Sequence, residues 1–285
     1  MLNKYFIIFI LSISFSQNFI YDSDDWYIIK SPGAIYSITE GPFNVYFGCE
    51  NGIYTYNKFD QNIEYDYQLN RGLDHEYPIH HIHYDYYSDQ IWVLNDNGLY
   101  FKNPIFNEYK EADFNLSSYS LSALGSIDQY IILDYSSEYV VINSFSGSRI
   151  KDHSSIDFSQ INWSSSYFNY DSNIDLSKYY SDNWLIGFKK ITDQYGNEEV
   201  STVFYEDNDL NFWYGTNQGK LIKGYKYSNR VDVLSIGPHS NIITSMSRSQ
   251  EGDWYLSTGR FRRMGYRNEQ NYYKGANPFI SIWNE

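Results

Sequence analysis

Cysteine is almost missing. One residue, Cys49, occurs in 285, so no internal disulfide can form, and an exported chain of this kind must hold together by packing alone. Positive charge is also scarce. Lys and Arg number 21 against 35 Asp and Glu, a formal charge of −14. That balance argues against a nucleic-acid or anionic-membrane partner, which would require a basic patch. The one basic cluster, Arg260, Arg262, Arg263 and Arg267, reads as a solvated face on a strand-rich chain. Alanine is sparse, and no stretch of Ala, Leu, Glu and Lys carries apolar residues at helical spacing, which excludes a helical repeat. Beyond the N-terminus no run is long and apolar enough to cross a membrane. The sequence holds no G-x-S-x-G elbow and no H-E-x-x-H pair. Cys49 sits at a turn with no identifiable base, and the Asp-rich turns at 22–25 and 206–209 do not follow the EF-hand order.

What is present favours strands. The chain is 42% hydrophobic and 20% aromatic, with 32 Tyr; it can build a core, and these residues suit a pleated, half-buried surface. The N-terminus begins MLNK, continues as the apolar run YFIIFILSISF, and places Ser14 and Ser16 before Gln17. A short positive region, an apolar run too short for a bilayer and small residues at −3 and −1 are the marks of a secretory leader. Residues 1–16 are therefore expected to be a signal peptide and residues 17–285 one domain, periplasmic or secreted, with no membrane span once the leader is removed.

Three anchors recur along the chain. The first is an apolar pair three apart: Ile35/Ile38, Ile79/Ile82, Leu121/Leu124, Val200/Val203 and Ile243/Met246. A degenerate copy, Phe158/Ile161, falls in the wide gap. The second is a polar turn after each pair: EGPFN, DYYSDQ, EDNDLN, SQEGD. The third is an aromatic strand ending in a small-residue turn: VYFGCENGIY, IWVLNDNGLY, FWYGTNQGKL, WYLSTGRF. Gly52, Gly98 and Gly219 are expected to supply positive φ in tight hairpins. Four short strands per unit of about 42 residues is the arithmetic of a β-propeller. The expected fold is all-β, a propeller of four-stranded antiparallel blades, six in number with seven as the alternative. Two terminal segments compete to close the ring, residues 24–30 and PFISIWNE. Residues 143–199 are the least regular, and NWLIGFKK at 183–190 reads as a strand of unassigned place.

The I-x-x-I strand, the polar turn and F-W-Y-G-T-N-Q-G at Phe212–Gly219, with looser copies at Val45–Gly52 and Ile91–Gly98 and Gly72-Leu73 ahead of one unit, resemble the two-component-regulator type of propeller repeat. The resemblance covers most of residues 24–265. It implies a fold found in sensor ectodomains and secreted proteins, and its motifs are structural.

In such a fold the turns between second and third strands share one face with the segments leading into each first strand. Glu50, Asn51, Asn95, Asp96, Asn217 and Gln218 from the turns, and His75, Glu76, His239 and Asn241 from the lead-in segments, are expected to converge there as a ligand-binding face. In HEYPIHHIHYDYY, His81, His83 and Asp85 point to one side of a strand, the makings of a zinc or iron site; a histidine between packed blades is more often hydrogen-bonded within the packing. No metal and no cofactor is therefore assigned. The functional reading is a non-catalytic binding or protein-interaction scaffold whose partner is a protein or a glycan. The alternatives are an exported lyase or glycoside hydrolase using carboxylates such as Glu50, Glu76 and Asp96, and a structural subunit of an envelope or secretion assembly. A broad aromatic surface patch would favour a protein partner.

Overall fold

The apolar pairs open sheets. β1 (Ile35–Glu40), β2 (Asn44–Cys49), β3 (Gly52–Asn57) and β4 (Ile63–Tyr65) form the first, an antiparallel meander. β5 (Ile79–Asp85), β6 (Gln90–Asn95), β7 (Gly98–Lys102) and β8 (Lys110–Glu111) form the second. β9 (Ala123–Ile127), β10 (Tyr130–Asp134), β11 (Tyr139–Asn143) and β12 (Arg149–Ile150) form the third. A fourth sheet runs through β15 (Leu185–Ile186), β16 (Lys190–Thr192), β17 (Glu198–Glu206), β18 (Asn211–Thr216), β19 (Lys220–Tyr225) and β20 (Val231–Ser235), and a fifth through β21 (Ile243–Arg248), β22 (Trp254–Thr258) and β23 (Phe279–Trp283). This computed structural model describes residues 30–74, 76–106, 108–114, 121–135, 138–151, 156–166, 175–237, 243–248, 254–258 and 279–283.

The three-residue spacing of the apolar pairs has a structural cause. In a regular strand residues i and i+3 face opposite sides. Here β1, β5, β17 and β21 each carry a bulge just after the first residue paired to the following strand, at Ile35/Ser37, Ile79/His81, Ser201/Val203 and Ile243/Ser245. One extra residue resets the alternation, and Ile35 with Ile38, and Ile79 with Ile82, are all buried. In the fourth sheet the equivalent positions are Ser201 and Phe204, one residue later than the pair Val200/Val203; Val200 is 47% exposed. The bulged residues join neighbouring sheets. Thr202 Oγ1 donates to the Ile35 carbonyl at 2.5 Å, and the Tyr36 ring lies 5.7 Å from that of His80.

The first four sheets bury faces on one another. Phe47, Tyr54 and Tyr56 of the first share a core with Val203, Trp213 and Leu221 of the fourth. Tyr46 and Ile53 pack with Ile79, Ile82 and Val93 of the second, and Trp92 and Phe101 of the second pack with Leu124 and Ile131 of the third. Each fully buried large apolar side chain contributes roughly 1.5–3 kcal/mol by leaving water, so these four sheets depend on one another for stability. Cys49 lies in this core as a free thiol, and burial pushes its pKa up, leaving it no nucleophilic role.

The irregular region is a tie across the group. β13 (Asn162–Trp163) pairs with β9, and β14 (Ser165–Ser166) pairs with β1. Ser164 donates twice to the Leu124 carbonyl, from its amide at 3.0 Å and its hydroxyl at 2.8 Å, and Ser166 Oγ donates to the Ser122 carbonyl at 3.1 Å. Small polar side chains let this segment lie against two first strands at once. Phe158 and Ile161, expected to open a fourth blade, instead cover the outer side of the third sheet. NWLIGFKK is not one strand: it turns at Gly187, so that Leu185–Ile186 pairs back on Ile191–Thr192.

The all-β, antiparallel, propeller-like expectation stands. Among the described residues the sheets number five and do not close into a six-bladed ring. The fourth sheet, not the fifth, lies beside the first. Phe279–Trp283 joins β22 as the last strand of the fifth sheet, while residues 24–29 lie outside the described residues. No helix among the described residues is long and apolar enough to cross a membrane.

Candidate binding surface

The polar atoms of the turns named as a binding face are engaged in local bonds. Glu50 Oε2 accepts from the Ala34 amide at 3.1 Å, and Asn51 Nδ2 donates to the Ser31 carbonyl at 2.9 Å. Together they hold the segment leading into β1. Asp96 Oδ1 lies 2.9 Å from His80 Nε2. Asn95, buried, accepts from the amides of Asn97 and Gly98 and so builds its own turn. Asn217 Oδ1 accepts from the Val200 amide at 2.9 Å, and Gln218 Nε2 donates to the Glu198 carbonyl at 3.2 Å. Glu76 is exposed beside Asp74, whose carboxylate accepts its amide. Gly219, at φ +88, approaches Pro32 and Gly33, which places the fourth sheet's turn next to that of the first. These residues fasten the lead-in segments, and Glu50, Asp96, Asn217 and Gln218 remain exposed around them. His75, His239 and Asn241 lie outside the described residues.

The histidine run does not assemble a metal site with Asp85. His83 Nε2 is 2.9 Å from Ser126 Oγ, while Asp85 folds into its own turn and accepts from Tyr87, Ser88 and the Ser88 hydroxyl. Burial lowers both His81 and His83 to about 3, with the neighbouring His80 adding to the effect at His81, so both are neutral at ordinary pH. One trio of carboxylates approaches metal-binding spacing among the described residues: Glu40, Asp207 and Asp209. Its cation is already present. Lys58 Nζ bonds to Glu40 and reaches Asp209 at 3.1 Å; burial opposes its charge, but the bonds to Glu40 and Asp209 outweigh that and raise its pKa. Asn208 donates twice to Glu40, and Asp207 accepts the buried indole N–H of Trp213 at 2.9 Å. The cluster welds the fourth sheet to the first.

The opposite end of the sheets carries a different chemistry. It comprises the turns after the first and third strands, brought together by the Lys58–Asp209 pair and by the 5.8 Å contact of the Tyr87 and Phe145 rings between second and third sheets. Phe43, Phe59, Tyr87, Ile105, Phe106 and Phe145 are exposed there, Phe59 at 74% and Ile105 at 82%. A recurring local device sets them out. Asn57, Asp85, Asn103 and Asn143 each end or follow a strand and accept, through a side-chain oxygen, the amide two residues on: that of Phe59, Tyr87, Ile105 and Phe145. Such turns fix the backbone and leave the apolar side chain at the tip. The sequence signal is Asn/Asp-x-aromatic or apolar inside otherwise polar turns, which polar convergence alone does not reveal. A groove of about 560 Å³ opens among them, lined by Phe101, Asn103 and Phe106 and by the charged Lys102, Glu108 and Lys110. The fourth sheet adds a separate exposed set, Leu185, Phe188 and Tyr195.

No protein-family model and no curated protein matches the sequence. Among solved structures, PorZ, an essential surface component of the type-IX secretion system of Porphyromonas gingivalis, is 9% identical with a TM-score of 0.46, over 82% of this chain and 43% of that one. The extracellular domain of a putative hybrid two-component system from B. thetaiotaomicron is 14% identical with a TM-score of 0.35, over 84% and 39%. A virginiamycin B lyase from Staphylococcus aureus is 12% identical with a TM-score of 0.32, over 90% and 86%. The chain thus spans less than half the length of the first two.

Proposed function

We propose that this chain is an exported, non-catalytic, propeller-like scaffold that binds a protein partner through the aromatic end of its sheets. In this reading residues 1–16 are a leader, residues 17–285 are one domain, and the sheets are blades of a ring whose full count is six. One observation carries the proposal: large apolar side chains crowd the turn tips of one end. Scattered exposed apolar residues are ordinary, but clusters of them mark interfaces, and here Phe43 meets Phe59 and Tyr87 meets Phe145 at ring distances of 5.9 and 5.8 Å. The tips are rich in Phe and include Ile105. Apart from Tyr87 those side chains have no polar edge for a sugar hydroxyl, and they resemble the apolar core of a protein interface.

The test is affinity capture from envelope and culture-medium fractions with the full chain and with a Phe59→Ser/Tyr87→Ser/Phe145→Ser variant, alongside a glycan array. A stoichiometric protein retained by the parent and lost by the variant is expected. A partner kept by that variant but lost on Glu50→Gln/Asp96→Asn would move the site to the polar end. Array binding with no protein captured would replace the protein partner with a glycan.

A further inference from the structure

The turn tips of the aromatic end also carry carboxylates. Asp60 follows Phe59, Asp89 lies two residues after Tyr87, and Asp128 occupies the first turn of the sheet that carries Phe145; all three are exposed. The ammonium groups in the same turns are neutralised from within. Lys58 bonds to Glu40 and Asp209, and Lys226 to Glu206 at 2.5 Å. Lys110 and Arg149 lie on the outer strands β8 and β12, and Lys110 also lines the groove. The turn tips themselves therefore offer ring faces and carboxylates, while the groove between them holds Lys110 together with Glu108.

Resting on the protein-binding reading above, we infer that the partner surface is basic: it presents Lys or Arg side chains between apolar ones. A cation over an exposed ring is attracted by the ring's negative face, and a carboxylate beside that ring adds an ion pair. The tips are pre-ordered for this. Asn57 Oδ1 accepts from both Phe59 and Asp60 amides, Asp85 from Tyr87 and Ser88, and Asn143 from Phe145 and Ser146. Little order remains to be imposed on binding. A second copy of this chain does not fit, because the same acidic tips would face each other on a molecule of charge −14.

Two synthetic peptides of equal length test this on the full chain: repeats of Lys-Phe-Lys-Gly and of Glu-Phe-Glu-Gly, with affinities read by calorimetry at low and high salt. The Lys peptide should bind and the Glu peptide should not. Binding should weaken at least ~10-fold at high salt, and again by ~10-fold in Asp60→Asn/Asp89→Asn/Asp128→Asn. It should also be lost in the Phe59→Ser/Tyr87→Ser/Phe145→Ser variant. Asp74→Asn/Glu138→Gln/Glu198→Gln, which removes as much charge elsewhere, should bind like the parent. Equal binding of both peptides, lost only in the aromatic variant, overturns the basic partner and leaves protein binding standing. Equal weakening by the two charge variants reduces the effect to net charge and overturns it as well. Binding that survives the aromatic variant, or no binding of the Lys peptide, removes the surface from both readings.

Discussion

His81 and His83 show what burial does to a single side chain. Each is sealed between first strands, and each is held neutral because burial disfavours its charge. In the unfolded chain both titrate near 6.5, and in the fold near 3. The folded pKa is depressed, so below pH 6.5 the unfolded state binds protons that the folded state does not. Their contribution is complete above pH 6.5 and is lost as pH falls toward 3. The slope in that window is about 1.4 kcal/mol per pH unit for each histidine. Urea midpoints between pH 6.5 and 4.5 should therefore fall steeply, and His83→Asn should flatten the slope by roughly half. Parallel slopes in parent and variant would assign the acid sensitivity to other groups. The sequence placed these two histidines on one side of a strand; it did not show that Ser126, from the next sheet, would meet one of them.

Among the hairpins and turns, the same residue type meets different surroundings. Gly219 adopts φ +88 with Pro32 Cγ 2.5 Å from where a Cβ would sit. Gly196 adopts φ +84 with nothing within 4 Å. Gly196→Ala should cost only the left-handed backbone penalty, about 1–2 kcal/mol. Gly219→Ala adds a collision with the segment leading into β1, and its total should exceed that of Gly196→Ala by at least ~1 kcal/mol. Equal losses in thermal melts would mean that Pro32 gives way freely. The tips allow a similar comparison. Asn143→Ala removes the acceptor of the Phe145 and Ser146 amides and should cost roughly 1 kcal/mol. The same change should also weaken partner capture, because Phe145 loses its fixed seat; unchanged capture would make the tip's order irrelevant to binding. Much of this level was legible beforehand: the aromatic second strands and the pairs Ile35/Ile38 and Ile79/Ile82 are where the repeat put them. By contrast, the fourth sheet's positions fall one residue after Val200/Val203, Phe158/Ile161 opens no sheet, and of the three hairpin glycines Gly52 and Gly219 but not Gly98 take a positive φ. The bulge behind the I-x-x-I spacing was not legible, because a period of three suits no regular strand and its meaning appears only with a partner strand in register. Residues 143–199 kept no period; the described residues 162–166 within them pair with first strands of the first and third sheets and form no unit of their own.

The whole molecule joins like with unlike. Four sheets share faces in the order fourth, first, second, third, and the serine-rich tie Asn162–Ser166 links the third to the first. The fifth sheet differs. The positions that are buried as Ile35 and Ile38 in the first sheet are Ile243 and Met246 in the fifth, exposed at 44% and 63%, and Tyr255 of β22 is exposed as well. A sheet that leaves its first strand open to solvent gains less from burial, and its local opening should be correspondingly easy. Hydrogen exchange followed by mass spectrometry tests this directly. Amides of β1–β3, β5–β7 and β17–β19 should exchange only by opening of the shared cores, at the global stability. Those of β21–β23 should exchange faster by at least ~10-fold, equivalent to about 1.4 kcal/mol less protection. Equal protection throughout would mean that the fifth sheet is covered as fully as the rest, and that the group of sheets closes further than the described residues reach. Addition of a partner that seats on the aromatic end should slow exchange in the turns at Asn57–Asp60, Asp85–Asp89 and Asn143–Ser146 and leave β21–β23 unchanged. Slowing confined to β21–β23 would instead make the open fifth sheet the docking surface, with the aromatic tips as bystanders.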